Sequence, residues 1–365
     1  MIERIPVTVL TGYLGAGKTT LLNRILSEDH DHRYAVIVNE FGAIGIDNDL
    51  IVNTNEELFE MNNGCICCTV RGDLIRTLHT LLSKQSDNKK TFDAIIVETT
   101  GLADPGPVAQ TFFVDHFLQE RTMLDSVTTV VDAKHILRLL SDSRETVEQV
   151  AFADQIILNK TELVSAEELS AIEMRLRAIN PLVPIHRAQR ANVALDKVLE
   201  RGGFDLERIV SLEPDFLGSK LPAAHGEVGH IHDEHCGHEH VEHDHVHDND
   251  ILSISLVSHT PMDRSLISTW LTQLVATQGQ DILRAKGIID VKDEPRRLVF
   301  QAVHMLFEAD LQKPWRPGEE RHTRLVFIGR HLDQIAIQAG FDACVASASS
   351  SALSVATPNQ PALFQ

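Results

Sequence analysis

The sequence lacks the features by which a chain enters or crosses a membrane. No apolar run approaches the roughly 18 residues that span a bilayer, and the first residues run into a strand-like segment without a signal-peptide pattern. Lys and Arg are also scarce, with 33 of them against 52 Asp and Glu and a formal net charge of -19. Binding to a phosphate backbone requires clustered cations. We therefore expect a cytoplasmic protein with no membrane association and no nucleic-acid partner.

Cysteine is sparse as well, and its placement argues against a disulfide framework. Three of the five cysteines stand together as Cys65, Cys67 and Cys68. A reducing compartment keeps such thiols available for metal binding or redox chemistry. The turn-prone residues 62–64, Asn-Asn-Gly, precede them and favour exposure of the sulfurs.

The chain is long enough for two domains, since its 365 residues exceed a typical domain of about 100 to 200. In the first part, short apolar runs alternate with helix-forming segments, which is typical of a doubly wound, mostly parallel sheet. We predict an α/β domain over residues 1–214. Its predicted strands are 6–11, 35–38, 94–97, 127–131 and 155–158, and its predicted helices include 19–26, 74–82 and 166–179.

Composition changes abruptly after residue 214. Residues 215–250 contain nine histidines interleaved with acidic residues, a composition that predicts a disordered, metal-attracting linker. Two interpretations stay open: an antenna that loads metal onto another site, or a passive solubilising linker.

Beyond the linker, residues 251–346 predict a smaller α+β domain. The pattern indicates a strand at 251–258, a helix at 265–275, two or three strands among 282–291, 298–307 and 324–329, and a last helix at 332–339. We expect residues 347–365 to form a disordered tail.

A phosphate-binding loop is predicted between the first strand and the first helix. Residues 12–19, Gly-Tyr-Leu-Gly-Ala-Gly-Lys-Thr, have the spacing at which glycines let backbone N–H groups surround a β-phosphate. Lys18 would neutralise the β and γ oxygens, and the Thr19 hydroxyl would bind Mg²⁺. The predicted nucleotide contacts are Gly12, Gly15, Ala16, Gly17, Lys18, Thr19 and Thr20.

Glu98 ends an apolar strand and begins the segment Glu-Thr-Thr-Gly, residues 98–101. A carboxylate there would lie near Mg²⁺, and Gly101 would lie where a γ-phosphate can be sensed. The catalytic residues predicted are Lys18, Thr19 and Glu98. Leu102 follows where many GTPases carry a glutamine that orients the attacking water, so we expect slow intrinsic hydrolysis.

Residues 159–162, Asn-Lys-Thr-Glu, follow another apolar strand. They resemble the Asn-Lys-x-Asp motif, whose carboxylate accepts hydrogen bonds from guanine. Asn159, Lys160 and Glu162 are therefore predicted to select GTP over ATP, with Glu162 one methylene longer than the usual Asp.

The cysteine cluster predicts a transition-metal site. In an extended segment, Cys65 and Cys67 project to one side and Cys68 points away, so a tetrahedral zinc site would still need further ligands. Inert buried cysteines and a redox pair are the alternatives. Two or three thiolates accept Zn²⁺ or Co²⁺, and zinc is favoured by its abundance and softness.

Together these motifs resemble the CobW-like group of G3E GTPases. The likeness covers residues 5–200 and, more loosely, 251–346. It rests on the phosphate loop, Asn-Glu-Phe-Gly at 39–42, Cys-Ile-Cys-Cys at 65–68, Glu-Thr-Thr-Gly at 98–101 and Asn-Lys-Thr-Glu at 159–162.

The resemblance implies a P-loop NTPase fold and a GTP-dependent insertase or chaperone for zinc, cobalt or iron-type centres. It also implies that Glu40 lies near Mg²⁺ or the transferred metal, that Asp47 lies beside the γ-phosphate, and that the three cysteines hold the cargo. Some relatives carry a second Glu where this chain has Ala43. Any accessory site that uses that carboxylate is therefore not expected here.

The favoured hypothesis is a GTP-hydrolysing metallochaperone that delivers metal to an apo-metalloprotein client. A metal-storing or metal-sensing switch, whose output is partner binding, is the alternative from another class. An ATP-dependent kinase is a third interpretation, although no base that would activate an acceptor is evident. The sequence does not decide between a monomer and a homo-oligomer.

Overall fold

The computed structural model describes residues 4–28, 32–41, 58–63, 69–84, 92–199, 251–316 and 318–346. Several of the predictions fall outside these ranges. Asp47, Cys65, Cys67 and Cys68 lie outside the described residues, as do the histidine-rich segment, the expected boundary at residue 214 and the tail.

Within the described residues, the first sheet has seven parallel strands in the order β3-β2-β4-β1-β5-β6-β7. Strands β4 and β6 are buried along their whole length, as expected for parallel strands that are covered on both faces. The strands are β1 (Ile5–Thr11), β2 (Tyr34–Phe41), β3 (Leu58–Asn63), β4 (Ala94–Glu98), β5 (Thr122–Asp132), β6 (Gln155–Asn159) and β7 (Ile185–Arg187).

Helices cover both faces of this sheet, because side chains alternate between two apolar clusters. In β4, Ile95 and Val97 pack with α2 and α3, whereas Ile96 packs with α1 on the other face. The described helices of this unit are α1 (Lys18–Ser27), α2 (Thr69–Lys84), α3 (Pro105–Val114), α4 (His116–Arg121), α5 (Ile136–Asp142), α6 (Arg144–Phe152) and α7 (Ala166–Ile179).

The C-terminal unit is a five-stranded antiparallel sheet in the order β11-β10-β9-β12-β8. Two helices pack against one face of it, around a core that includes Leu256, Phe300, Phe327 and Phe341. Its elements are β8 (Ile251–Ser258), α8 (Arg264–Gln278), β9 (Ile282–Ile289), β10 (Arg296–Val303), β11 (Leu306–Pro314), β12 (Thr323–Arg330) and α9 (Gln334–Asp342). The predicted fold class, a doubly wound mostly parallel sheet followed by a smaller α+β domain, is confirmed.

One part of the C-terminal prediction is wrong. The segment 298–307 is not one strand, because the chain reverses at His304 and Met305 and continues as β11. Four strands therefore follow α8 in the described chain, where two or three were expected. Apolar residues flank the turn, and His304 takes the left-handed conformation at φ 51° that glycine or asparagine usually adopts.

The other face of the C-terminal sheet packs on the first unit. Leu283, Val303, Val326 and Ile328 belong to the same buried cluster as Phe112 and Phe152 of helices α3 and α6. None of the described helices is both long enough and apolar enough to span a membrane.

Ion pairs supplement this apolar contact. Asp154, which follows α6, is buried and contacts Arg284 at 2.8 Å and also Lys286. It accepts a further hydrogen bond from the backbone N–H of Val127 at 2.8 Å. Burial would raise the pKa of Asp154, but the two cations outweigh it and hold that pKa below its usual range.

Candidate functional site

The candidate site lies at the carboxyl ends of the parallel strands, where open α/β sheets bind their ligands. The loop 12–17 joins β1 to α1 and has positive φ at Gly12, Gly15 and Gly17. A Cβ on Gly12 would lie 2.1 Å from the carbonyl oxygen of Val130, and one on Gly17 would lie 2.5 Å from Nδ2 of Asn159. Steric exclusion, as well as backbone conformation, therefore requires glycine at both positions.

Lys18 begins α1 and folds back along this loop. Its buried ammonium donates to the carbonyl oxygen of Gly12 at 2.9 Å and to that of Tyr13 at 3.4 Å. Gly17, at the N-cap of α1, provides no side-chain cap. The first-turn N–H groups and the ammonium thus surround one small volume, as anion binding at a helix N-terminus requires.

Thr19 and Glu98 meet at the floor of the same site. The Thr19 hydroxyl donates to Oε1 of Glu98 at 3.2 Å, and Glu98 is buried. The parallel pairing of β1 with β4 brings Glu98 beside Leu10, just before the phosphate loop. A hydroxyl and a carboxylate are hard oxygen ligands, so this donor set fits Mg²⁺.

The segment after Glu98 rests on the phosphate loop. A Cβ on Gly101 would lie 2.5 Å from the backbone nitrogen of Leu14. The next residue, Leu102, is 47% exposed. It stands where many GTPases have the glutamine that orients the attacking water, and its side chain cannot form that hydrogen bond.

Asn159 joins two loops. Its Nδ2 donates to the carbonyl oxygen of Ala16 at 2.9 Å, and its Oδ1 accepts from the backbone N–H of Ala191 at 2.8 Å. Glu162 is exposed in the short 3-10 turn Thr161–Leu163. The structure therefore brings Asn159 to the phosphate loop, with Glu162 on the turn that follows.

Lys160 has a partner that sequence reasoning missed. Its ammonium donates to Oδ2 of Asp132 at 2.6 Å, and His135 contacts the same oxygen at 3.1 Å. Burial alone would raise the pKa of Asp132, but these hydrogen bonds outweigh it and hold the pKa below its ordinary value. Asp132 ends the apolar strand β5 as Glu98 ends β4, and that signal was available in the sequence.

The loop 188–191 was also missed. Ala188 accepts from the Thr161 hydroxyl at 3.1 Å, and Arg24 donates to the carbonyl oxygen of Ala191 at 2.9 Å. Arg190 and Ala191 both have positive φ, without a glycine that would have marked the turn in the sequence.

The backbone register locates the strands that flank the predicted metal ligands. Val38 of β2 pairs with Glu98 on one side and with Glu60 of β3 on the other, and Glu40 pairs with Asn62. At about 4.8 Å between neighbouring strands, β3 lies roughly 14 Å from β1, since β2 and β4 separate them. Strand β3 ends at Asn63, two residues before Cys65 in the sequence, and its carboxyl end lies at the same edge of the sheet as the phosphate loop.

The metal ligands themselves are not described: Cys65, Cys67 and Cys68 lie outside the described residues, and Glu40 is described in its backbone alone. Across the parts of the chain that are described, no group of three or more His, Cys, Asp or Glu side chains is arranged to hold a metal ion.

Two family models match the chain. Residues 6–187 match the nucleotide-binding domain of CobW/HypB/UreG, and residues 251–345 match the cobalamin synthesis protein CobW C-terminal domain.

Similar proteins match over nearly the whole length. The zinc chaperone YjiA of Escherichia coli is 37% identical over 341 residues, which cover 92% of this chain and 98% of that protein. The zinc-regulated GTPase metalloprotein activator 1 of Schizosaccharomyces pombe is 34% identical, over 92% of this chain and 84% of its own length. A crystal structure of Zn(II)-bound YjiA GTPase, with one glutamate and two cysteines replaced by alanine, superposes with a TM-score of 0.71 and 32% identity, covering 94% of this chain and 100% of that one.

Proposed function

This chain belongs to the CobW/HypB/UreG family, and on that premise we propose that it is a GTPase metallochaperone that holds zinc and delivers it to an apo-metalloprotein client. The observation that carries the proposal is the arrangement at the end of the parallel sheet, where Lys18 folds back on the phosphate loop and the hydroxyl of the adjacent Thr19 donates to Glu98. The names of the relatives, a zinc chaperone and a zinc-regulated GTPase metalloprotein activator, support both halves of the proposal.

In this proposal the first turn of α1 and Lys18 bind the phosphates of GTP. Thr19 and Glu98 hold Mg²⁺, which supplies positive charge against the charge that develops on the transferred phosphoryl group. Leu102 offers no hydrogen bond to the attacking water, so basal hydrolysis is slow. A basal rate of about ten per second or more, typical of GTPases with a complete set of catalytic groups, would contradict this part.

Guanine recognition is assigned to the turn that follows β6. Asn159 holds that turn against the phosphate loop, and the exposed Glu162 is free to accept from the base. Titration with GDP and with ADP tests the assignment, and equal affinities would count against it.

Zinc is the cargo, and the proposed ligands are Cys65, Cys67 and Cys68 with Glu40. The support is topological. Glu40 lies on β2 two residues beyond Val38, the partner of Glu98, and β3 ends two residues before Cys65 in the sequence, so both strands end at the nucleotide-binding edge of the sheet.

Nucleotide control follows from linkage. GTP can alter zinc affinity only if the two ligands prefer the same conformation, and zinc must then alter GTP affinity by the same factor. We propose that GTP assembles the thiolate site and that hydrolysis loosens it. Zinc should bind more tightly with a non-hydrolysable GTP analogue than with GDP, by about five- to 150-fold for a typical coupling.

The test is competition for zinc against a chelator in the two nucleotide states, with Cys67→Ser as the variant and Cys344→Ser, at a buried cysteine of the C-terminal unit, as the matched control. The YjiA relative retains zinc after a glutamate and two cysteines are replaced. Total zinc content is therefore a poor readout, and the difference between nucleotide states is the quantity to measure. Equal zinc affinity with the analogue and with GDP would contradict nucleotide control and would favour a metal-storing protein over a chaperone.

We further assign the histidine-rich segment 225–247 to loading of the cysteine site. Its deletion should lower the zinc stoichiometry and leave GTP turnover unchanged. Loss of GTP turnover in the deletion variant would refute this division.

A further inference from the structure

The segment 101–106 is held from three sides, although sequence motifs mark only its beginning. At one end Gly101 rests on the backbone of Leu14 in the phosphate loop. At the other end Asp104 caps α3, where its Oδ1 accepts from the backbone N–H of Gly106 at 2.8 Å. Any change in the loop at Gly101 is therefore carried towards the start of α3.

Gln149 of α6 holds the middle of the segment. Its buried Nε2 donates to the carbonyl oxygens of Gly101 and of Ala103, both at 3.1 Å. Both protons of one amide are thus committed to this segment. A shift of either carbonyl would leave a buried donor unsatisfied, which is costly.

The third contact comes from the C-terminal sheet. His304, at the tip of the β10–β11 hairpin, lies so close to the start of α3 that a Cβ on Gly106 would be 2.8 Å from its Nε2. Its ring also packs at a tilt against the ring of Phe152 in α6, with centroids 5.3 Å apart. Burial lowers the pKa of His304, although the carboxylate of Asp104 acts in the opposite direction.

The same helix is tied to the C-terminal sheet a second time. Glu148, the neighbour of Gln149, accepts from Arg330 of β12 and from Arg144 at 3.1 Å. Helix α6 thus contacts the segment 101–106 through Gln149 and the C-terminal domain through the adjacent Glu148.

We propose that Gln149 and His304 are positioning residues for the segment 101–106, and that through them the C-terminal domain responds to the nucleotide. This inference rests on the proposed function, because it requires the segment after Glu98 to change when a γ-phosphate is bound. Neither residue is assigned a contact with the nucleotide. Gln149 fixes the carbonyls of the segment, and His304 transfers their displacement to the hairpin.

Amide hydrogen exchange of the full-length protein tests the inference, with GDP and Mg²⁺ compared with a non-hydrolysable GTP analogue and Mg²⁺. In the wild type, peptides covering 101–106 and 303–306 should exchange at rates that differ on the order of tenfold between the two nucleotides. In Gln149→Met and His304→Ala, both nucleotides should still protect 12–19 relative to the nucleotide-free protein, and the difference between the two nucleotides should disappear at 303–306. Met305→Ala is the control, since Met305 shares the hairpin tip but lies against Gly279.

Kinetics separate positioning from general damage. Gln149→Met should lower kcat for GTP on the order of tenfold, the effect of losing two neutral hydrogen bonds. Its KM should stay close to that of the wild type, because the phosphate loop is untouched. An equal effect on KM, with loss of protection at 12–19, would mean that Gln149 only supports the fold and would overturn the inference.

The outcomes also distinguish the two proposals. Nucleotide protection at 12–19 without any nucleotide dependence at 303–306 in the wild type overturns the inference and leaves the GTPase proposal intact. No protection at 12–19 by either nucleotide removes the proposed function, and the inference fails with it.

Discussion

Replacement of Asp154 by Asn tests the contact between the two units. The change keeps the size of the side chain and an acceptor for the N–H of Val127, and it removes one negative charge. Arg284 and Lys286 then lose the carboxylate of Asp154. Arg284 has 3% of its side chain exposed and cannot reach water, whereas Lys286 has 20% exposed and can turn outward.

The magnitude follows from the geometry. At 2.8 Å between Asp154 and Arg284, and with an effective dielectric constant of about 20, the attraction is roughly 6 kcal/mol before desolvation is subtracted. Loss of one partner from a buried pair costs about 3–5 kcal/mol. Because Lys286 can relax, we expect a loss of about 3 kcal/mol in the free energy of unfolding.

Denaturant unfolding followed by tryptophan fluorescence measures this loss, since both tryptophans, Trp270 and Trp315, lie in the C-terminal unit. The pair Asp154→Asn/Arg284→Met should recover part of the stability, because it also removes the buried cation that the single variant leaves without the Asp154 carboxylate. A single variant that loses less than about 1 kcal/mol, as an exposed ion pair would, would refute the reasoning.

The pH dependence of the free energy of unfolding tests the direction of the Asp154 pKa shift. The pKa of Asp154 is depressed in the folded protein, so its stabilisation is complete above the unfolded value of about 3.9 and is lost as the pH falls through the folded value. The difference in the free energy of unfolding between the wild type and Asp154→Asn should therefore become smaller only at acidic pH.

Three further predictions concern the nucleotide site. Thr19→Ala should lower the Mg²⁺-dependent kcat on the order of 100-fold, by loss of a metal ligand, and a rate unchanged across a magnesium titration would contradict that role. Gly12→Ala should abolish GDP binding in calorimetry, because the added Cβ would overlap the carbonyl oxygen of Val130. Gly15→Ala is the control: its Cβ would have nothing within 4 Å, so the substitution should cost only about 1–2 kcal/mol of backbone strain. Asn159→Ala should weaken GDP binding about tenfold or more. The substitution removes the hydrogen-bond partner of the Ala16 carbonyl and of the Ala191 N–H, at a cost of about 1–3 kcal/mol each. An affinity within about twofold of the wild type would show that the bridge made by Asn159 between the two loops is dispensable.

Local signals explain what the sequence predicted well. Helix α7 was predicted with its observed bounds, and in the structure Ser165 and Glu168 form a capping box at its start, in which each side chain accepts from the backbone of the other. Strand β8 was predicted with its observed bounds too, from a short apolar run that the acidic, histidine-rich segment precedes. The phosphate loop and Glu98 were evident because their residue types follow strands directly.

Tertiary contacts explain what was missed. The turn at His304 and Met305 has no residue that prefers a hairpin, so the reversal depends on packing against Gly106 and Phe152. In the sequence, nothing distinguishes Gln149 from other helical residues. It binds the carbonyl oxygen of Gly101 only because α6 packs against the segment after Glu98. Such assignments need coordinates, since no spacing in the chain encodes them.

Helix α6 also has an evolutionary consequence. Within seven residues it carries Glu148, which pairs with β12, Gln149, which holds the loop after Glu98, and Asp154 just beyond its end, which pairs with β9. The two halves of the protein cannot diverge independently, because a change in Arg284 or Arg330 demands a compensating change in helix α6 or directly after it. A chimera that exchanges the C-terminal half between relatives would have to bring its own α6 with it.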